Sequence, residues 1–182
     1  MKFKPSKMAD VVGIFEKLDE ELQNGSKKIK IKVLGGASVL LLGMRDRVTA
    51  DIDVAATSDA GEFQKICAKM GVEVDIITVA STVDLAYCDS IKVFQGKRLT
   101  VESVTPTDLL KLKLERFYKQ DPEDIYAIIK HESMLFDEFK AIIKEMLPDY
   151  IGNVRQLIIS AQIVVEQIWP EHIDEFNGSM QT

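Results

Sequence analysis

Several residue types on which common enzyme classes depend are scarce in this chain of 182 residues. Its two cysteines, Cys67 and Cys88, lack Cys-x-x-Cys spacing, so the sequence predicts free thiols in a reducing, cytoplasmic compartment. The two histidines, His131 and His172, lie in the C-terminal third, far from either cysteine. This scarcity argues against a zinc site and against a Ser-His-Asp nucleophile.

Long hydrophobic runs and an excess of positive charge are also missing. No apolar run approaches the roughly 18 residues that a membrane-spanning helix needs, so we expect no membrane partner. The basic first residues lead into an amphipathic stretch, which is not the apolar core of a signal peptide. Lys and Arg total 23 against 29 Asp and Glu, a net charge of −6. The acidic balance argues against non-specific coating of nucleic acid, although it allows a local basic patch.

The hydrophobic pattern changes character near residue 105. Before that point it predicts two helices and five strands, at 6–23, 28–33, 51–54, 59–70, 72–79, 91–94 and 99–104. After Thr105-Pro106 it predicts four helices, at 106–120, 122–131, 137–147 and 150–168. The predicted fold is therefore an α/β (α+β) lobe with a small mixed sheet, residues 1–104, followed by an α-helical C-terminal lobe, residues 105–182.

A pair of carboxylates is the first candidate for chemistry. Asp51 and Asp53 are two apart on a predicted strand, so they share one face while Ile52 and Val54 point to the core. Two neighbouring anions repel each other unless a cation lies between them, and Mg²⁺ favours one or two carboxylates completed by water and phosphate oxygens. A solvated strand end with two acids is the alternative for so short a motif.

The residues around this pair favour a metal and phosphate site. Gly35 and Gly36 end the preceding strand, where backbone amides and the start of the next helix can approach a phosphate, and Ser38 could add a hydroxyl. A third acid, Asp75, lies on the next strand, with Glu73 on the same face as a rival. If the two strands pair, three carboxylates converge, as a two-metal site requires.

The periodicity of strands and helices predicts the direction in which several charged side chains point. Lys28, Lys30 and Lys32 alternate with apolar residues, which predicts a solvated strand face or protection against edge pairing, with a local basic patch for an RNA acceptor as the alternative. On the helix after Pro106, Lys111 falls on the polar side, whereas Lys113 and Arg116 fall within the apolar arc. Those two inward cations either have a structural role, snorkelling outward along apolar surface or pairing with acids such as Asp121 or Asp124, or they line a polar cleft in which Lys113 neutralises a triphosphate.

Asp121 precedes Pro122 in a pattern typical of helix capping. Just before the carboxylate pair, Arg47 and Thr49 are candidates to hold a phosphate or the acceptor, with a solvated turn as the alternative for Arg47.

Together these residues resemble the DNA polymerase β-like nucleotidyltransferase superfamily. Its pattern is matched by Leu34-Gly35-Gly36, Asp51-Ile52-Asp53-Val54 and the later Asp75. The longer string from Gly35 to Asp53 looks like the minimal bacterial branch that includes the AbiEii-type toxin nucleotidyltransferases. The segment from Pro106 to Ile125 is similar to that branch's second conserved region, in which a helix lysine, here Lys113, meets nucleotide phosphates.

The resemblance implies an enzyme that moves a nucleotidyl group from an NTP donor to a hydroxyl, using Mg²⁺ or Mn²⁺ held by Asp51, Asp53 and Asp75. It leaves the acceptor open among an RNA end (tRNA included), a protein hydroxyl and a small molecule. It also implies a toxin with a cognate antitoxin. The alternative is a non-catalytic nucleotide-binding or antitoxin-like module on the same fold. The apolar stretch 157–168 suits helical core or an oligomer contact.

Overall fold

The computed structural model describes residues 5–22, 27–80 and 82–180. The chain divides into two compact units, one built from Met1–Ala80 and Asp84–Thr105, the other from Ser81–Val83 and Pro106–Thr182. Thr82 and Val83 thus belong with the helices, although the predicted boundary lies after residue 104. Thr82 is anchored there because its backbone N–H donates to a carboxylate oxygen of Glu115 at 2.8 Å.

The first unit is a mixed sheet with helices. Its elements are α1 (Met8–Leu22), β1 (Ile29–Leu34), α2 (Gly35–Leu41), β2 (Asp51–Ala55), α3 (Ala60–Lys69), β3 (Glu73–Ile77), β4 (Ser90–Gln95) and β5 (Leu99–Val104). The strand order is β3-β2-β1-β5-β4. The β1–β5 and β2–β3 pairs are parallel, whereas β1–β2 and β4–β5 are antiparallel. This arrangement confirms the predicted small mixed sheet.

The core of this unit lies on one face of the sheet. Alternate side chains of the strands, among them Ile31, Val33, Ile52 and Val54, are buried with the apolar faces of α1, α2 and α3. Because successive strand residues point to opposite faces, the same alternation sends Asp51 and Asp53 to the other face. The core therefore determines the face on which these carboxylates lie.

The prediction that Lys32 lies on a solvated strand face is wrong. Its side chain is buried, and its ammonium donates to the carbonyl oxygens of Leu85 (3.2 Å) and Cys88 (2.7 Å) and contacts the Cys88 sulfur at 3.3 Å. The strand β1 lies at the centre of the sheet, so its lysines do not protect an edge. The alternation of β1 correctly put Lys32 on the face opposite the core. That face is not solvated at Lys32, however, because the segment 84–88 packs over it.

The second unit is helical. It contains α4 (Pro106–Arg116), α5 (Asp121–His131), α6 (Phe136–Met146), α7 (Val154–Ile168), a 3-10 turn (Pro170–His172) and α8 (Ile173–Ser179). The helix α4 ends at residue 116 rather than the predicted 120, because Phe117 and Lys119 have φ of 42° and 50°. The helix α7 begins at 154 rather than 150, after Asn153, whose side chain accepts from the Gln156 N–H at 3.2 Å.

The prediction of a polar side for α4, on which Lys111 lies, is also partly wrong. Lys111 is buried, and its ammonium lies 2.8 Å from a carboxylate oxygen of Glu145 on α6. A second helix therefore supplies an ion-pair partner for a lysine that the periodicity of α4 put on the polar side. In the part of the chain that the structure describes, no helix has the length and apolar character needed to cross a membrane.

Candidate active site

The predicted carboxylates lie on one face of two adjacent strands. Asp51 and Asp53 are half-buried on β2, and their register partners on the parallel strand β3 are Glu73 and Asp75, which are both exposed. Paired residues of neighbouring strands project to the same side of a sheet. The structure thus places Asp75 beside Asp53, and its rival Glu73 beside Asp51.

Gly35 lies directly beneath the carboxylate of Asp53. A Cβ atom at position 35 would lie 1.8 Å from Oδ2 of Asp53, and Gly35 has φ of +64°, in the left-handed region. The register places Leu34 opposite Asp53, so the chain turns into α2 under that side chain. Both the space and the backbone conformation therefore require glycine.

Gly36 is closely approached by two side chains of the loop that precedes the carboxylates. A Cβ atom there would lie 2.8 Å from Cζ of Arg47 and 2.9 Å from Oγ1 of Thr49. The hydroxyl of Thr49 lies 3.2 Å from the backbone oxygen of Asp51 and 3.4 Å from its carboxylate Oδ1. The structure thus gathers Gly35, Gly36, Arg47 and Thr49 around Asp51 and Asp53.

Ser38 lies in α2, three residues after Gly35. Its side chain is buried, and among the described residues its Oγ has no hydrogen-bond partner. A buried hydroxyl without a partner is unfavourable, so this group has unused capacity to donate a hydrogen bond.

The donor set suits a hard divalent cation. It consists of carboxylate oxygens, which Mg²⁺ prefers. Within residues 5–22, 27–80 and 82–180, no group of three His, Cys, Asp or Glu side chains is drawn together closely enough to hold an ion. Mg²⁺ is usually held by only one or two carboxylates with water and substrate phosphates, and the Asp51–Asp53 pair fits that mode.

Lys113 belongs to a buried ion-pair cluster within the helical unit, and Arg116 contacts that cluster from the surface. The Lys113 ammonium lies 3.1 Å from Oδ1 of Asp121 and 2.6 Å from Oδ2 of Asp124, and all three side chains are at least 97% buried. Arg116 donates to both oxygens of Asp121, through Nε at 2.8 Å and Nη2 at 2.9 Å. Pairing with acids, which the sequence left open as one of two interpretations, is what the structure shows.

Asp121 differs from its predicted role. Its carboxylate accepts from the backbone N–H of Tyr118 at 2.9 Å, a residue before α5, rather than capping the first turn. Burial opposes its ionisation, but the Arg116 hydrogen bonds, the Lys113 charge and the Tyr118 N–H hold the pKa of Asp121 below its ordinary value. Sequence reasoning included its pairing with Lys113 and Arg116 but missed its hydrogen bond to Tyr118, because the Asp-Pro pattern has the same form in either case.

One protein family accounts for most of the chain. The family described as "Nucleotidyltransferase of unknown function (DUF6036)" matches residues 9–160. No curated protein and no solved structure matches the chain significantly. Because the family match covers well over half of the sequence, and includes both the Gly-Gly turn and the carboxylate strands, the protein belongs to this nucleotidyltransferase family.

Proposed function

We propose that this protein transfers a nucleoside monophosphate from an NTP to a hydroxyl group, with Mg²⁺ or Mn²⁺ as the required cation. The observation that carries the proposal is the Asp53 carboxylate over Gly35, with Asp51 on the same strand and Asp75 in register next to it. The family match supports nucleotidyl transfer in general. The dependence on a metal and the choice of acceptor are our inferences.

Each residue of the site has a separate role in this proposal. Asp51 and Asp53 are the ligands for the cation, which when bound supplies a Lewis acid that withdraws charge from the phosphate oxygens. In this proposal the backbone amides of Gly35 and Gly36, the Ser38 hydroxyl and the Arg47 guanidinium bind the triphosphate. Thr49 positions Asp51 through its hydroxyl.

Asp75 serves the acceptor in this proposal, with Glu73 as the rival. Its carboxylate takes the proton of the acceptor hydroxyl. The acceptor oxygen then forms a bond to the α-phosphorus, and the bond from that phosphorus to the bridging oxygen breaks. Pyrophosphate leaves with the electron pair of that bond, so the proton and charge are accounted for.

The resemblance to AbiEii-type toxin nucleotidyltransferases supports a narrower proposal. In it the acceptor is an RNA end, with tRNA as the leading choice, and the protein is the toxin of a pair with a cognate antitoxin. Protein hydroxyls and small molecules are the other acceptors to be tested. Labelling of cellular RNA and protein by each radioactive NTP in turn distinguishes these acceptors.

Pyrophosphate release tests the central proposal. We expect release with Mg²⁺, NTP and an RNA pool, and a fall of about 10²–10³-fold in the Asp51→Asn and Asp53→Asn variants, which keep side-chain shape but lose charge. Glu16→Gln, an exposed acid on α1, is the matched control and should keep the wild-type rate. Nucleotide binding without pyrophosphate release would contradict transfer and favour the non-catalytic module.

A further inference from the structure

The loop between α4 and α5, residues 117–120, has a strained backbone. Phe117 and Lys119 have φ of 42° and 50°, in the left-handed region that residues with a Cβ seldom adopt. Phe117 ends α4, with its N–H bonded to the Lys113 carbonyl at 2.8 Å, whereas the second left-handed residue is not needed to end a helix. Such strain persists only when the surrounding structure imposes it, and it is concentrated at functional sites.

Hydrogen bonds to Asp121 fix the conformation of this loop. Its buried carboxylate accepts the backbone N–H of Tyr118 at 2.9 Å and the Nε of Arg116 at 2.8 Å, so it ties the loop to the end of α4. Lys113 adds a third contact at 3.1 Å. The loop is therefore pre-organised, and a ligand that binds it would order few groups on binding.

The loop presents an aromatic ring beside a cation. Tyr118 is 59% exposed, and the ammonium of Lys119 lies 4.9 Å from the centroid of its ring. Gln120 is exposed, and the Arg116 side chain at the other end of the loop is 61% exposed. The charges of Lys113 and Arg116 balance those of Asp121 and Asp124. The loop 117–120 therefore has a net positive charge, which comes from Lys119.

We propose that the loop 117–120 is a stacking site for single-stranded RNA, with a base on the Tyr118 ring and a phosphate at Lys119. Stacking on an exposed aromatic side chain next to a cation is how proteins bind unpaired nucleotides without reading sequence. A protein partner fits less well, because lysine is depleted at protein interfaces, whereas here the ammonium of Lys119 lies over the Tyr118 ring. The inference deepens the proposed function by making RNA the acceptor class, and it depends on that function only for the chemical step.

RNA binding measured without NTP tests the site directly. The probe is a fluorescein-labelled, unstructured 12-nucleotide RNA, titrated with the full chain and followed by anisotropy. We expect Tyr118→Ala to raise Kd about 10-fold and Tyr118→Phe to leave it near the wild-type value, because stacking needs the ring and not the hydroxyl. Lys119→Gln should reduce the slope of log K against log salt by about 0.7.

Two matched controls separate the site from general effects of aromatic or charged residues. Tyr87→Ala removes an exposed tyrosine of the α/β unit, and Lys144→Gln removes an exposed lysine of α6. Neither should change Kd. All substituted side chains are exposed, so circular dichroism melts should match the wild type.

The outcomes distinguish this site from the proposed chemistry. The inference is overturned if the wild-type chain does not bind the RNA, or if Tyr118→Ala binds as tightly as Tyr87→Ala. Repeating the titration with Asp51→Asn separates the two claims. Tyr118-dependent binding in a wild-type protein that releases no pyrophosphate supports the RNA site and rejects nucleotidyl transfer. RNA-dependent transfer that Tyr118→Ala leaves unchanged supports nucleotidyl transfer and rejects the RNA site.

Discussion

Position 35 shows how one missing methyl group shapes the site. The Asp53 carboxylate occupies the space that any other side chain at this position would fill, at 1.8 Å from an ideal Cβ. The glycine therefore does two things, since it takes the left-handed turn into α2 and leaves room for the carboxylate. The second of these functions is specific to the site.

Comparing two left-handed glycines isolates that function. Gly71 has φ of +72° and nothing within 4 Å of an added Cβ, so Gly71→Ala incurs only the backbone cost of about 1–2 kcal/mol. We expect Gly35→Ala to be destabilised more than this and to lose pyrophosphate release at least about 100-fold, because Asp53 must move. Urea unfolding and the release assay measure both. Wild-type release by Gly35→Ala would show that the position of Asp53 does not matter.

Buried lysines are where reasoning from single residues did least well. Periodicity marked Lys32 and Lys111 as solvated, yet Lys32 is bonded to two backbone carbonyls and Lys111 to Glu145. A residue's own strand or helix determines the direction of its side chain, but a distant segment determines what covers it. Lys113 was recognised as facing inward because it interrupts an apolar arc, which is a local signal.

At the scale of elements, a carboxylate on α1 organises the β4–β5 turn. Asp19 is buried, and it accepts backbone N–H groups from Lys97 (2.9 Å), Arg98 (2.7 Å) and Leu99 (2.7 Å). Burial opposes its ionisation, but these three hydrogen bonds hold the pKa of Asp19 below its ordinary value of 3.8. A Cβ at Gly96 would lie 2.3 Å from this carboxylate, so the turn also needs glycine.

The lowered pKa of Asp19 predicts the direction of a pH effect. Its contribution to stability is fully present above the unfolded pKa and is lost as pH falls through the lower folded value, where the wild-type side chain is protonated. We expect Asp19→Asn to lose about 1–3 kcal/mol of unfolding free energy at neutral pH. The difference from wild type should shrink below about pH 3.8.

Urea unfolding across that pH range measures the effect. Glu20→Gln, an exposed acid on the same helix, is the control and should show no such convergence. A constant difference between wild type and Asp19→Asn at every pH would contradict the assignment of the effect to ionisation.

Most elements could be predicted, and their ends could not. Every helix predicted before residue 169 and every predicted strand is present, because each carries a clear 3.6- or 2-residue period. The early end of α4 depends on left-handed Phe117 and Lys119, which no propensity favours and which the buried Asp121 stabilises. The helix α8 was not assigned separately, because the C-terminal pattern indicated only helical structure in general.

At the scale of the whole molecule, nucleotide binding should be visible in thermal unfolding. A ligand that binds only the folded state at 100 times its Kd adds about 2.7 kcal/mol of stability. We expect an NTP with Mg²⁺ to raise Tm, and to do so much less without Mg²⁺ or in the Asp51→Asn, Asp53→Asn double variant. Failure of every NTP to shift Tm in the wild type would favour a purely structural helical adaptor.

Local pattern was enough to determine much of this protein. Local sequence signals predict that Asp51 and Asp53 share a strand face, that a Gly-Gly turn precedes them, and that an α/β region gives way to helices near residue 105. These features follow from periods of two and 3.6 residues and from glycine's conformational freedom, which act over a few neighbouring residues.

Long-range packing set the strand order β3-β2-β1-β5-β4, the register that puts Asp75 beside Asp53, and the burial of Lys32 and Lys111. Strand pairing and coverage join segments far apart in sequence, and many alternative pairings satisfy the same alternation. The choice among them is made by how the whole apolar core packs, which no local period encodes.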